Sequence, residues 1–219
     1  MAIGIPTCLE PLVRETRWLV WRREQGHGGR LTKVPYRADR SSSRASCNDP
    51  TTWCSFETAM RTYSAGSVDG IAFALMGSNV AAFDIDHCRD AASGALHEWA
   101  QELIDRCGSY VEITPSREGI RILGTGSNRK IHRKFVLADG VSVEIYRNCE
   151  RFITVTGDQI PSALGQLVDI NAVADEVVAE LDATKQAKQP NPVLHSLEPH
   201  GRDLADIIKI WMRYQLRRR

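Results

Sequence analysis

Two aspartates one residue apart close an apolar run in VAAFDID, residues 80–86. Side chains of a strand alternate between its faces, so Asp84 and Asp86 share one face while Phe83 and Ile85 share the other. Two carboxylates held side by side on stiff backbone repel each other, and a cation between them relieves that cost. Hard divalent ions such as Mg²⁺ and Mn²⁺ prefer oxygen donors of this kind. Two ions roughly 3.5–4 Å apart can activate a 3′-hydroxyl and stabilise a leaving pyrophosphate. An Asp-x-Asp also recurs at strand ends and in loops without any such role. Here the wholly apolar approach to the pair favours the chemical reading. A good two-metal cage needs a third acid, and the pattern offers two, Glu144 in VSVEIYR and Glu112 in SYVEIT. Each alternates with branched apolar residues, and each is also open to the plainer reading of a solvated strand residue.

These acids need a sheet to hold them. Residues 70–76, GIAFALM, form a second apolar run joined to 80–86 by Gly77-Ser78-Asn79, so a hairpin is expected. Upstream, WLVWR (18–22) reads as a strand, GHGGR (26–30) as a turn and LTKVPYR (31–37) as a second strand or extended segment. The Ser-rich stretch 38–49 reads as a loop. Asp49-Pro50 opens a predicted helix over TTWCSFETAMRTYS, capped by Thr51 or Thr52, with Trp53, Phe56, Ala59, Met60 and Tyr63 at helical spacing. A second helix is predicted over 95–107. Strands at 109–114 and 119–124 flank the turn Pro115-Ser116-Arg117-Glu118. NRKIHRK (128–134) reads as a basic loop, 141–147 and 151–157 as strands, and 166–182 as a helix acidic on one face. Residues 183–202 read as a flexible linker and 203–219 as an amphipathic helical tail with a basic end. Strands and helices alternate irregularly over the expected domain, 1–182, which predicts an α+β fold rather than a doubly wound parallel sheet.

Bulk composition agrees with a soluble protein. The 219 residues are 42% hydrophobic and 25% charged, with net charge +1. Residues 1–46 hold nine Lys/Arg against four acids, and 117–151 hold eight against four. Such basic segments either line a groove for an anionic polymer or are ordinary solvated surface. No run approaches the roughly 18 apolar residues of a membrane span. The N-terminus lacks the pattern of a secretory leader. None of the six cysteines forms a C-x-x-C pair, and a cytoplasmic location with free thiols is expected.

The order TKVPY, DPTTW, GIAFAL, FDIDHCRD, YVEITPSREGIRILG, VEIY and RFITVTGD, over residues 15–160, resembles one family. It is that of the catalytic modules of bifunctional DNA primase–polymerases of phages, plasmids and integrated elements, within the archaeo-eukaryotic primase superfamily. The resemblance implies a small N-terminal α/β unit packed on a unit built like an RNA-recognition motif, with the catalytic groove between them. It implies nucleotidyl transfer from dNTPs or NTPs with two Mg²⁺ or Mn²⁺ ions, on a single-stranded DNA template and primer. Asp84 and Asp86 match the first catalytic motif. Glu144 matches the third acidic position and is preferred to Glu112 on that ground. TPSREGIR matches the second motif, by which Ser116 and Arg121 contact the triphosphate, Arg in a bidentate way. Arg117 stands where the family usually has Gly. Lys33 and Arg151 match basic positions near the groove, and Arg147 is a further candidate for phosphate or template backbone. His87 reads as a local hydrogen-bond partner of the acids, and Trp18, Trp21, Trp53 and Trp99 as core.

Relatives commonly continue into a helical segment and a helicase. No phosphate-binding G-x-x-x-x-G-K-[ST] loop is present here, so a replicative helicase is expected in trans or on a longer parent chain. One competing reading is a catalytically weak or inactive module of the same fold that binds single-stranded DNA or an origin, which Arg117 favours. Another is a metal-dependent nuclease, which accounts for the carboxylates but not for TPSREGIR.

Overall fold

The computed structural model describes residues 4–29, 31–127, 129–161 and 165–188. The chain divides into two units, Met1–Leu181 and Asp182–Arg219. In chain order the strands are β1 (Trp18–Gln25), β2 (Leu31–Tyr36), β3 (Gly70–Ala74), β4 (Val80–Asp86) and β5 (Tyr110–Ile113). They continue as β6 (Ile120–Thr125), β7 (Ile131–Val136), β8 (Ser142–Arg147) and β9 (Phe152–Val155). The α-helices are α1 (Glu10–Val13), α2 (Phe56–Ser64), α3 (Glu98–Cys107) and α4 (Asn171–Lys188). The fold is α+β, as the element order predicts. One antiparallel sheet has the order β2-β1-β3-β9 and the other β5-β6-β4-β8-β7.

Strand alternation sorts the second sheet into two faces. Phe83 and Ile85 of β4 join Val111, Ile113, Ile120, Ile122, Val143 and Ile145 in a core with Ala100, Leu103 and Ile104 of α3 and Ala174 and Val177 of α4. From the other face, Ala82, Tyr110, Leu123 and Tyr146 enter a second core with Trp18, Val20, Ile71, Phe73, Ile153 and Val155 of the first sheet. Leu9, Leu12 and Ala59 complete that core from α1 and its entry turn and from α2. Helices therefore cover one face of the second sheet, and the first sheet meets the other. Burial of each Val, Leu, Ile or Phe side chain in these cores contributes roughly 1.5–3 kcal/mol.

Four local expectations need correction. The runs 70–76 and 80–86 do not make a hairpin: β3 pairs with β1 and β9, while β4 pairs with β6 and β8. All five residues of β3 are buried, so it needs neighbours on both edges. The turn between the two strands, with Gly77 at φ 71 and Ser78 Oγ donating to the Leu75 carbonyl, carries the chain from one sheet to the other. Asp49 caps only a short 3-10 turn, Pro50–Thr52, and α2 starts afresh behind Ser55, whose Oγ accepts from the Thr58 N–H. Between them Cys54 exchanges both backbone hydrogen bonds with Trp18. The basic stretch 128–134 is no simple loop, since β7 begins at Ile131 and forms the edge of the second sheet, with Ile131 and Phe135 buried and the cations between them exposed. Charged side chains on an edge strand guard it against pairing with other chains. Finally, α4 begins at Asn171 and runs to Lys188, so residues 183–188 continue a helix. The remainder of the expected linker and the tail helix at 203–219 lie outside the described residues.

Candidate active site

One row of five charges crosses the second sheet. The register pairs Glu112 with Arg121, Arg121 with Asp84, Asp84 with Glu144, and Glu144 with Lys134. Residues paired across antiparallel strands share a face, and this is the face opposite the helices. One step further along β4, Asp86 pairs with Ser142. Directly opposed acids such as Asp84 and Glu144 are destabilising unless cations attend them. Arg121 Nη2 donates to Asp84 Oδ1 at 2.7 Å, and Lys134 Nζ and Tyr146 Oη donate to Glu144.

A cleft of about 520 Å³ opens over this row. Asp84, Asp86, Arg121, Lys134, Glu144 and Tyr146 line it from the second sheet, and Lys33, Thr154 and Arg151 line it from β2, β9 and the residue before β9. Burial, and then the charge of Asp84, push the Asp86 carboxyl above its ordinary range, against the pull of Lys33, Arg121 and His87. Burial in the cleft, and then Arg121, lower the Lys33 ammonium, which lies 5.6 Å from the centre of the Trp21 ring. Burial would raise Glu144, but hydrogen bonds from Lys134 and Tyr146 outweigh it and hold the carboxyl below its usual range.

The structure separates the other residues singled out by sequence. Arg151 is exposed at the cleft, its Nε 3.4 Å from His132 Nε2. Ser116 stands on the exposed β5–β6 turn and shares a hydrogen bond with Thr114 at 3.0 Å. Arg117 on that turn has φ 67, the left-handed conformation that glycine adopts most easily. His87 follows β4 with φ 60, and its Nδ1 is 3.8 Å from Glu118. Trp18 and Trp21 are buried as expected, and Trp53 and Trp99 are half-buried.

Arg147 does not belong with the cleft. It sits on the opposite face of β8, is 0% exposed, and donates to the Arg129 carbonyl (2.9 Å), Asn171 Oδ1 (3.0 Å) and Asp175 Oδ1 (2.8 Å). It fastens α4 to the sheet, so the expectation of a phosphate contact is corrected. Alternation along VEIYR signals this, because Glu144 and Arg147 are an odd number of residues apart. Arg121 faces the cleft side but is 1% exposed, with its terminal nitrogens committed to Asp84, Glu112 and Thr154. Glu112, read from pattern as a rival third acid or a solvated residue, is 0% exposed and receives the N–H groups of Thr156 and Gly157. Thr154, Lys134 and Tyr146 are members of the site that sequence pattern does not single out.

The acids that line the cleft fit divalent metal in donor type. Asp84, Asp86 and Glu144 offer only hard oxygens on one face, and the charge of Asp84 adds to the burial that raises Asp86. Among the described residues no three or more His, Cys, Asp or Glu side chains converge into a metal cage as they stand. Arg121 and Lys134 hold two of the acids meanwhile.

Fold and site together define an α+β protein with a paired-carboxylate cleft between two antiparallel sheets. Over 160 residues, 72% of its length, the chain is 31% identical to a DNA Primase-polymerase of Nitratiruptor phage NrS-1. Over that stretch the chain is related to phage-type primase–polymerases, the family its motif order resembles. The chain spans 21% of that relative's length. No family model matches the chain.

Proposed function

We propose that the cleft performs template-directed nucleotidyl transfer, as DNA primase, DNA polymerase or both, in the replication of a phage, plasmid or mobile element. The observation that carries this reading is the set of Asp84, Asp86 and Glu144 on one face of a cleft rimmed by Lys33 and Arg151. The relationship to a phage primase-polymerase supports it. So does the strand order β8-β4-β6-β5 with α3 between β4 and β5, which is the split β-α-β order of units built like an RNA-recognition motif. On this reading the first sheet belongs to the small N-terminal unit of an archaeo-eukaryotic primase fold.

Asp84, Asp86 and Glu144 hold two Mg²⁺ or Mn²⁺ ions, which when bound supply charge neutralisation for the attacking hydroxyl and the leaving pyrophosphate. Lys33 and Arg151 bind phosphates of the incoming dNTP or NTP or of the single-stranded template. Ser116 stands outside the lining of the cleft, on the turn that Gly119 seats against the end of β4, and its expected contact is with the outer phosphates of the triphosphate. Lys134 and Tyr146 hold Glu144 ionised. Catalysis comes from positioning and charge neutralisation. A primer strand and a helicase, in trans or on a longer parent chain, are the expected partners, and the host cytoplasm the expected location. Among the described residues no helix is long and apolar enough to cross a membrane.

The second reading, a DNA-binding module without catalysis, draws on Arg117 in a left-handed turn and on the cations already seated on Asp84 and Glu144. One experiment separates the two. The chain is incubated with single-stranded DNA, labelled dNTPs and NTPs, and Mg²⁺ or Mn²⁺, with and without primer, beside an Asp84→Ala/Asp86→Ala control. Product that disappears in the control supports transfer at these acids. Salt-dependent DNA binding with no product under either metal selects the binding module.

A further inference from the structure

Arg121 stands where a triphosphate contact is expected, yet its surroundings are those of a fixed cation. Nη2 donates to Asp84 Oδ1 at 2.7 Å. Nη1 donates to Thr154 Oγ1 at 2.6 Å and to the Thr154 carbonyl, and lies 3.4 Å from Glu112 Oε1. Nε is buried without a partner among the described residues. Glu112 is itself pinned: Tyr110 Oη and the N–H groups of Thr156 and Gly157 all reach it at 3.1 Å. The guanidinium is therefore located by β5, by β9 and by the turn after β9. A ligand for phosphate needs donors aimed into the cleft, whereas those of Arg121 are aimed at Asp84 and at β9.

We propose that Arg121 is a positioning residue that acts through Asp84. It fixes one oxygen of that carboxylate, couples it to the first sheet through Thr154, and offsets its charge, so that the acid stays ordered beside Asp86. It does not bind the triphosphate. This inference rests on the reading of Asp84 as a metal ligand. A metal at the acids then meets a unit positive charge close by and an Asp84 oxygen already committed, both of which weaken its binding.

The test is calorimetric titration of the full chain with Mn²⁺ alone, for wild type, Asp84→Ala and Glu112→Gln/Arg121→Gln, which replaces the buried charged pair by two neutral amides. The double variant is expected to bind Mn²⁺ on the order of tenfold more tightly. Its nucleotide KM is expected to stay within about twofold of wild type while kcat falls. Unchanged or weaker Mn²⁺ binding overturns the proposal. A raised nucleotide KM at unchanged kcat also overturns it and returns Arg121 to the triphosphate. If the double variant does not fold, Arg121→Lys takes its place. It keeps the charge but cannot reach Asp84, Glu112 and Thr154 together, so kcat should fall while Mn²⁺ affinity holds, and a full wild-type rate would refute positioning. The titration needs no product, so a wild type that makes none still tests Arg121. Mn²⁺ binding that is absent, or that survives Asp84→Ala, sinks the metal-ligand reading and the inference with it.

Discussion

Gly119 gives the sharpest test of how the site is held. A Cβ at this position would lie 2.5 Å from the Ile85 carbonyl oxygen, 3.0 Å from Thr114 Oγ1 and 3.3 Å from the Asp86 Cα. The first and last of these are backbone atoms of β4, so no rotamer change relieves the overlap. In Gly119→Ala, β6 and the end of β4 must separate by several tenths of an ångström, at the point where Asp86 leaves the strand. Overpacking of this kind costs about 1–3 kcal/mol. For a chain of this size that lowers Tm by roughly 2–12 °C. The same displacement moves one of the paired carboxylates, and a misplacement near 1 Å costs on the order of 10²-fold in rate. Thermal unfolding by circular dichroism reads the first effect and labelled dNTP incorporation the second. Gly140→Ala is the control: its φ of 91 makes alanine strained, but nothing lies within 4 Å, so it should cost about 1–2 kcal/mol and leave incorporation alone. A Gly119→Ala protein with wild-type Tm and wild-type incorporation would refute the idea that close backbone contact here sets the position of Asp86.

Three other outcomes are expected. Asp86→Asn should abolish incorporation and leave Tm equal to or above wild type, because it removes the repulsion within the pair; activity assay and unfolding curves check the two halves. Arg117→Gly should raise Tm slightly, since relief of the left-handed backbone is worth roughly 1–2 kcal/mol, the freer unfolded chain takes back up to about 1 kcal/mol, and the exposed 3.5 Å pair with Asp158 adds little. Arg147→Met should cost about 3 kcal/mol, the low end for a broken buried pair because Asp175 is 40% exposed, with nucleotide KM unchanged; a KM effect without a stability loss would put Arg147 back at the cleft.

Much of the site is legible in the sequence because strand alternation is local. The spacing of Asp84 and Asp86 fixes their shared face, and the same rule separates Glu144 from Arg147. What local pattern could not reveal is which surface a face meets. Glu112 and Glu144 sit in equivalent patterns, VEI in each case, yet the segment that follows β9 closes over β5 and buries Glu112, while β8 borders the open cleft. The hairpin expected from GIAFALM and VAAFDID failed for a related reason: two apolar strands and a short turn look alike whether the chain folds back or crosses between sheets. Ile131 within the basic stretch and Phe135 just past it are an inward pair, but the charges between them conceal an edge strand.

The closing strand of the first sheet arrives very late. β3, buried along its whole length, borders β9, which lies about eighty residues further along the chain and beyond every strand of the second sheet. During synthesis, β1, β2 and β3 leave the ribosome with one edge bare and wait for the second sheet to be made before Thr154 and its neighbours can cover that edge. An exposed apolar edge of this kind invites pairing with other chains. The anchor for Arg121 on Thr154, and with it the full setting of Asp84, cannot exist before that strand docks. A nascent chain therefore has both sides of the cleft before it has a finished site, and a chain cut short before residue 152 should aggregate rather than act as a smaller version of the protein.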